Sequence, residues 1–392
     1  MRMGDDVSRE AAVELPGYVQ ADNRAALLSA GASGTIYALV MPESEIALQH
    51  VVDGCDRDTL AAVPDPLSLL DKTRCDEWLS RFHEPWTQKQ DDAHVEYLDG
   101  WLRWAAPVVA VDAAAFPHRY PTAGASEGIF KLMAEYSCSA RDSGTAPTIH
   151  IFNGEYEGFA ALAASLSIKV VRHRRDAWAG AIGAIEHGGQ FWISQPSAID
   201  GAVWTDFEAF VRTTATMRPD VSIVPDLSYV GAVARTYLIP LDFDNVPAFV
   251  ISHSKPFGGY YHRVGGVFAR QLRPSLFGNR WFKNLTSLAW GVEMMSRHDV
   301  FDLPRRYQHI QAAAAREVGR RLGVADLRAA DVFLLGVSEP PADPAPALAS
   351  AIRGVGADRV LRLCLTPMMA SMAHPSSAPG MVALLANDGC LT

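Results

Sequence analysis

The sequence predicts an α/β fold, a mainly parallel sheet with helices on both faces in a large domain, joined to a smaller α+β domain. Three observations predict it. Short apolar runs and helical-period runs alternate over roughly 120 residues, from 148 to 269, as in strand–helix–strand units. The chain has 392 residues, more than one small core takes up, so two domains are expected. Polar residues able to do chemistry fall where the apolar runs end, and open parallel sheets bind ligands at that end of their strands.

Composition narrows the classes. Hydrophobic residues make up 49% and charged residues 20%, ordinary for a globular enzyme. A formal net charge of -9 argues against nucleic acid or an anionic membrane as partner. The five cysteines, Cys55, Cys75, Cys138, Cys364 and Cys390, are scattered, form no C-x-x-C and leave one over. That pattern predicts a reducing, cytoplasmic setting and no metal cluster. Residues 1–10 are charged and lack the apolar core of a signal peptide. No stretch approaches the ~20 apolar residues of a membrane span.

In chain order, residues 25–28 read as a short helix. Gly31-Ala32-Ser33-Gly34 reads as a turn, since it lacks the lysine and spacing of a phosphate loop. The apolar run 35–41 reads as a strand. Leu67, Leu70, Trp78, Leu79 and Phe82 have roughly helical spacing, residues 86–92 read as a polar loop, and 94–104 as an aromatic-bearing helix. Small residues at 122–126 then lead into a helix whose Ile129, Leu132, Met133 and Tyr136 share one face. Glu127 and Lys131, four apart, are placed to pair. The free N–H groups and positive end of such a helix favour an anion. Gly124 and Ala125 leave room for it and Ser126 adds a hydroxyl. A serine-started helix with no guest is the plain alternative.

Residues 148–152, 168–171, 191–194, 221–224, 248–251 and 267–269 read as strands. Helices are expected at 156–166 and around Phe207, Phe210 and Val211. Beyond them, 281–295 reads as a long connecting helix, 312–322 as a further helix, 340–346 as a proline-rich loop, and 360–365 as an apolar strand carrying Arg362.

Ser252-His253-Ser254-Lys255 follows the apolar run 248–251, and Arg263 comes eight residues after the lysine. A lysine packed at a strand end loses hydration, its ammonium pKa falls, and the neutral amine attacks aldehydes. Hydroxyls and a guanidinium fork suit a phosphate. A phosphorylated carbonyl compound fits both, and pyridoxal 5'-phosphate (PLP) is the commonest. A solvated loop lysine is the plain alternative.

Gly124-Ala125-Ser126-Glu127-Gly128-Ile129, Asp226-x-x-Tyr229 and Ser252-x-Ser254-Lys255 with Arg263 occur in that order. Together they resemble fold-type I PLP enzymes of the aspartate aminotransferase class, over about residues 97–366. The resemblance implies a PLP-dependent transferase fold, with residues 1–89 as the N-terminal segment and part of the small domain. Residues 90–290 would form the large cofactor domain and 291–392 the rest of the small domain. It implies that Lys255 forms the Schiff base and then moves the Cα proton, and that Asp226 keeps the pyridine nitrogen protonated. Gly124, Ala125, Ser126, Ser252 and Arg263 would hold the phosphate, with Ser254 in a lesser role. Tyr156 would stack on the ring. Tyr229 would donate to the phenolate oxygen, as would Gln195, which stands where the family has asparagine. Arg362 would grip the substrate carboxylate, with Arg359 as competitor, and Tyr97 would reach the cofactor phosphate of a partner subunit in a homodimer with shared sites.

The implied activity is on an α-amino acid, with aminotransfer leading. The alternative is β- or γ-elimination or replacement, S-adenosylmethionine being one possible substrate. A non-catalytic regulator of the same fold is the outside alternative. Against it, Lys255 and Asp226 are both present, and no helix-turn-helix or basic extension accompanies them. Two departures stand out: the bulky Tyr261-His262 pair before Arg263, expected to reshape the site, and an N-terminal region without the family's lead-in.

Overall fold

A computed structural model describes residues 21–54, 90–282 and 284–373. The chain opens with α1 (Ala21–Ser29), α2 (Pro42–Gly54) and α3 (Gln90–Ala105). The strand β1 (Val109–Ala110) and the edge strand β2 (His118–Thr122) lead into α4 (Ala125–Asp142). The alternating region follows: β3 (Thr148–Phe152), α5 (Glu157–Ser165), β4 (Lys169–His173), α6 (Trp178–Gly183), β5 (Gln190–Ser194), α7 (Phe207–Met217) and β6 (Ser222–Asp226). Next come β7 (Ile239–Pro240), β8 (Ala248–Ser252) and β9 (Gly265–Ala269), then α8 (Leu285–Arg297) and α9 (Asp302–Leu322). The end holds β10 (Arg328–Ala329), β11 (Leu335–Ser338), α10 (Pro346–Ala349), β12 (Ile352–Arg353), β13 (Val360–Cys364) and α11 (Thr366–Ala373).

Seven strands form the main sheet in the order β2-β9-β8-β6-β5-β3-β4. Neighbours from β8 through β6, β5 and β3 to β4 run parallel, and β9 is antiparallel to both β8 and β2. The mainly parallel expectation therefore holds, with one reversed strand near the edge. Period-2 alternation divides each strand between two cores. Phe152, Phe191, Ile193, Phe249 and Ile251 face one core with Trp101 and Phe210. Ile149, Ile151, Trp192 and Val250 face the other with Ile129, Met133 and Phe159. A second, four-stranded antiparallel sheet has the order β10-β11-β13-β12.

Several expectations change. Residues 35–41 form irregular chain, not a strand. Their backbone is held by other partners: Tyr37 N donates to Cys364 Sγ at 3.3 Å, and Ile36 O accepts from Lys255. Residues 90–92 belong to α3, not to a loop. The expected helix at 67–82 and most of the 86–92 loop lie outside the described residues. The connecting helix begins at Leu285, where Asn284 caps it by accepting from Ser287 N at 3.3 Å; residues 274–281 are a separate 3-10 turn. The strand β2 was not anticipated, because charge and Pro121 mask it; an edge position tolerates the proline.

Candidate active site

A cavity of about 490 Å³ opens at the carboxyl ends of β5, β6 and β8, where Ser194, Asp226 and Ser252 face it. The starts of α4 and α5 supply Ala125, Ser126, Tyr156 and Glu157. The segment after β8 supplies Ser254, Lys255, Tyr260 and Arg263, and the segment after β6 supplies Ser228 and Tyr229. Residues 33–36, with Arg24 and Leu27 of α1, close one side, and Arg353 of β12 enters from the smaller sheet.

One end of the cavity gathers hydrogen-bond donors and a guanidinium into a cradle. Gly124 starts α4 with φ +84 and no side-chain cap, so among the described residues the first N–H groups of an 18-residue helix meet no side-chain acceptor. A Cβ at Gly124 would lie 3.0 Å from Arg263 Nη2, so the glycine lets the guanidinium settle against the helix start. Arg263 takes a left-handed φ of 48, and its Nη2 donates to Ala123 O at 3.0 Å. Ser252 Oγ donates to Ser254 Oγ at 2.9 Å and accepts from Ser254 N at 3.2 Å. Ser126 Oγ and Tyr156 OH are 3.5 Å apart. Glu127 and Lys131 pair at 3.0 Å, as their spacing predicts.

A carboxylate stands elsewhere in the same wall. Buried Asp226 accepts from Ser228 N at 2.9 Å and Ser228 Oγ at 2.5 Å, and burial outweighs these bonds to push its carboxyl up to about 6. Tyr229 is buried beside it, and burial raises its phenol. Glu155, also buried, accepts from Ser194 N at 3.1 Å, Ser194 Oγ at 2.6 Å and Tyr156 N at 3.1 Å. It thereby ties the end of β5 to the turn before α5, and burial pushes it up to about 7.

Lys255 Nζ donates to Ile36 O at 2.7 Å. Removal from water lowers its ammonium to about 8, with the nearby Arg263 and Arg362 adding to the shift and Cys364 opposing it. Lys255 Nζ and Arg263 Cζ each lie 5.5 Å from the centre of the Tyr260 ring. The site therefore unites a lysine amine, a donor cradle and a buried carboxylate. That donor set fits PLP: the cradle suits the phosphate, the amine suits the aldehyde, and Asp226 suits a protonated ring nitrogen.

Of the residues singled out from sequence, Ala125, Ser126, Tyr156, Asp226, Tyr229, Ser252, Ser254, Lys255 and Arg263 line this one cavity, and Gly124 abuts it through Arg263. Three lie elsewhere. Gln195 turns to the backbone of Trp204, donating to its O at 3.0 Å and accepting from its N at 3.2 Å. Tyr97 is 0% exposed, set edge-on to His253 within its own subunit. Arg362 is 1% exposed and sits behind Glu157 and Ala198. The Tyr261-His262 pair does not line the cavity either: Tyr261 is 80% exposed and His262 stacks on Trp290 at 4.1 Å. Sequence reasoning missed Ser194, Ser228, Tyr260, Glu157 and Arg353. Ser228 and Tyr260 sit inside motifs already singled out, but Glu157 and Arg353 carry no local signal.

No protein-family model matches the chain, and no curated protein matches it. Solved structures do. A methionine aminotransferase, YbdL from Escherichia coli, is 15% identical, covering 72% of this chain and 82% of its own at a TM-score of 0.53. A histidinol-phosphate aminotransferase from Sinorhizobium meliloti, solved with pyridoxal-5'-phosphate, is 13% identical, covering 91% and 90% at 0.55. A PLP-bound C-S lyase from Staphylococcus hominis is 14% identical, covering 74% and 82% at 0.55. The fold is thus that of PLP fold type I, as the sequence motifs imply.

Proposed function

We propose that the chain is a PLP-dependent enzyme acting on an α-amino acid, with aminotransfer as its leading reaction. The observation that carries this reading is one cavity holding the Lys255 amine, the buried Asp226 carboxylate and the anion cradle of α4 and Arg263. Bound PLP supplies an aldehyde for a lysine amine and a ring that takes up the electron pair released at the substrate Cα.

The protein's own groups do the rest. Arg263, Ser252, Ser126 and the N–H groups at Gly124 and Ala125 would hold the phosphate, with Ser254 bracing Ser252. Asp226 would keep the ring nitrogen protonated. Tyr156 would supply an apolar face for the ring, and Tyr229 would supply a hydroxyl donor to it. Lys255 would hold the cofactor through its amine and would carry the proton to and from the substrate Cα. Gln195 acts indirectly, by bracing the loop after β5. Residues 33–36 exclude water above the lysine. The substrate carboxylate lies toward Arg353, with Arg362 behind it.

We further propose a homodimer, a large domain of residues 90–290 with a small domain from the ends, and a reducing, cytoplasmic setting. Cys138 and Cys364 are free among the described residues. No described helix is long and apolar enough to cross a membrane. A C-S lyase shares the fold, so elimination or replacement, including on S-adenosylmethionine, stays as the alternative chemistry. Visible spectra of the PLP-loaded protein against a panel of amino acids, with mass spectrometry of products, decide between them. Aminotransfer leaves pyridoxamine phosphate and needs a keto-acid partner; elimination and replacement do neither. A panel with no spectral response would sink the reading.

A further inference from the structure

Glu155 ends the turn between β3 and α5, behind the cavity wall, and is 5% exposed. Three donors converge on its two oxygens. Oε1 accepts from Ser194 N at 3.1 Å, and Oε2 accepts from Ser194 Oγ at 2.6 Å and Tyr156 N at 3.1 Å. Ser194 Oγ in turn accepts from Ala198 N at 2.7 Å. Ser194 stands opposite Asp226 in the parallel pair of β5 and β6, and both line the cavity at the strand ends. Tyr156 lines its wall. The Tyr156 ring lies over the first turn of α5 because residue 158 is glycine: a Cβ there would be 2.2 Å from Tyr156 Cε1. Phe159 meets the ring edge-on at 5.5 Å. These contacts hold the ring to α5, and Glu155 ties the turn that carries it to the end of β5.

This bond pattern calls for a carboxylate. Two of the donors are backbone N–H groups, which cannot turn away, and they reach different oxygens. A glutamine offers one acceptor oxygen and one NH2 group, so one backbone N–H would face an N–H. The charge is costly where it stands. Arg175 favours the ionised form through space, but its guanidinium is bonded to Asp200, Asp358 and Ser197. Burial pushes the Glu155 carboxyl up to about 7, so its ionised form at higher pH burdens the fold. What offsets that cost is the part of the cavity that the carboxylate holds in place.

We propose that Glu155 is a positioning residue: its carboxylate staples the end of β5 to the turn before α5, and so fixes Tyr156 relative to Ser194 and Asp226. A flat ring bound between Tyr156 and the strand ends gains most when that gap is set beforehand, because ordering the wall at the moment of binding costs affinity. Glu155 touches neither the ring nor the substrate and acts through Tyr156 and Ser194. This inference rests on the functional reading above for the ring that fills the gap, but not for the staple itself.

The test compares wild type, Glu155→Gln and Glu155→Asp at about pH 8, where the wild-type carboxyl is mostly ionised. Hydrogen exchange at the Ser194 and Tyr156 amides of the PLP-free protein reads the staple. Visible circular dichroism and the Kd of bound PLP read the seat, since an achiral ring takes its visible signal from the asymmetry of its surroundings. Urea midpoints of the PLP-free protein read stability. In Glu155→Gln, at least one of the two amides is expected to exchange about tenfold faster. The dichroism of the cofactor band should fall by about half or more, and PLP should bind about tenfold more weakly. The urea midpoint should stay at or above that of wild type, because a buried charge has gone. Glu155→Asp keeps the charge but falls one methylene short, and is expected to show the same losses in exchange and dichroism. Wild-type exchange in Glu155→Gln overturns the inference, as does wild-type dichroism and affinity. So does a lower urea midpoint in that variant, which would make the residue a plain stabiliser, or the full wild-type pattern in Glu155→Asp. Faster exchange in the variants of a protein whose wild type takes up no PLP would uphold the staple and sink the functional reading instead.

Discussion

Asp226 and Lys255 are both shifted by burial, and each shift makes a prediction. The folded-state pKa of Asp226, about 6, lies above its unfolded value of about 4. Its favourable contribution is therefore present below about pH 4 and is lost as pH rises through about 6. Above that pH the buried carboxylate burdens the cofactor-free fold. Asp226→Asn should raise the unfolding free energy of the cofactor-free protein by about 2 kcal/mol at pH 8, relative to the difference at pH 4. Urea titrations at the two pH values measure this, and the same variant should lose PLP affinity, so that stability and function move in opposite directions. For Lys255, neutral amine accumulates as pH passes about 8. The rate of PLP uptake should climb through that pH and level off above it; a profile rising only past pH 10 would contradict the lowered value. At this scale the sequence was most informative where chemistry is local. Lys255, Asp226, Tyr156, Ser126 and Arg263 each lie at or near the end of a strand or the start of a helix, so their neighbours announce them. Arg353 and Glu157 were not legible, because they meet only when the smaller sheet is brought against the start of α5.

The elements that build the site do so through their ends. The start of α4 owes the donor cradle proposed for the phosphate to Gly124, whose φ of +84 other residues adopt only with strain. Gly124→Ala should cost about 1–3 kcal/mol of stability and push Arg263 off the helix start. Affinity for inorganic phosphate or PLP should fall at least about tenfold; unchanged affinity, read by calorimetry, would remove α4 from the phosphate site. Gly258 plays a comparable part in the segment after Lys255: its φ is +69, and a Cβ there would lie 2.2 Å from Leu39 O. That close approach holds residues 35–41 over the lysine. The apolar strands were legible because β3, β5, β6 and β8 are buried on both faces and so read as unbroken apolar runs. The run 35–41 has the same composition yet is no strand. Its backbone partners, Lys255 and Cys364, lie 219 and 327 positions away, and no periodicity encodes such contacts. The orientation of Gln195 was not legible for a related reason: its amide bonds to the backbone of Trp204, nine positions on.

For the molecule as a whole, the two sheets and the N-terminal segment converge on one cavity, and the account stands or falls on what Lys255 does there. A ligand bound only by the folded state raises its stability by about 2.7 kcal/mol at a hundredfold excess over Kd, so PLP should raise the melting temperature of wild type. The most direct measurement is chemical. The protein is incubated with PLP, reduced with borohydride and digested, and the pyridoxyl-bearing peptide is located by mass spectrometry. The account predicts a single tag on Lys255, absent from Lys255→Ala. A tag on another lysine, or none, would contradict it.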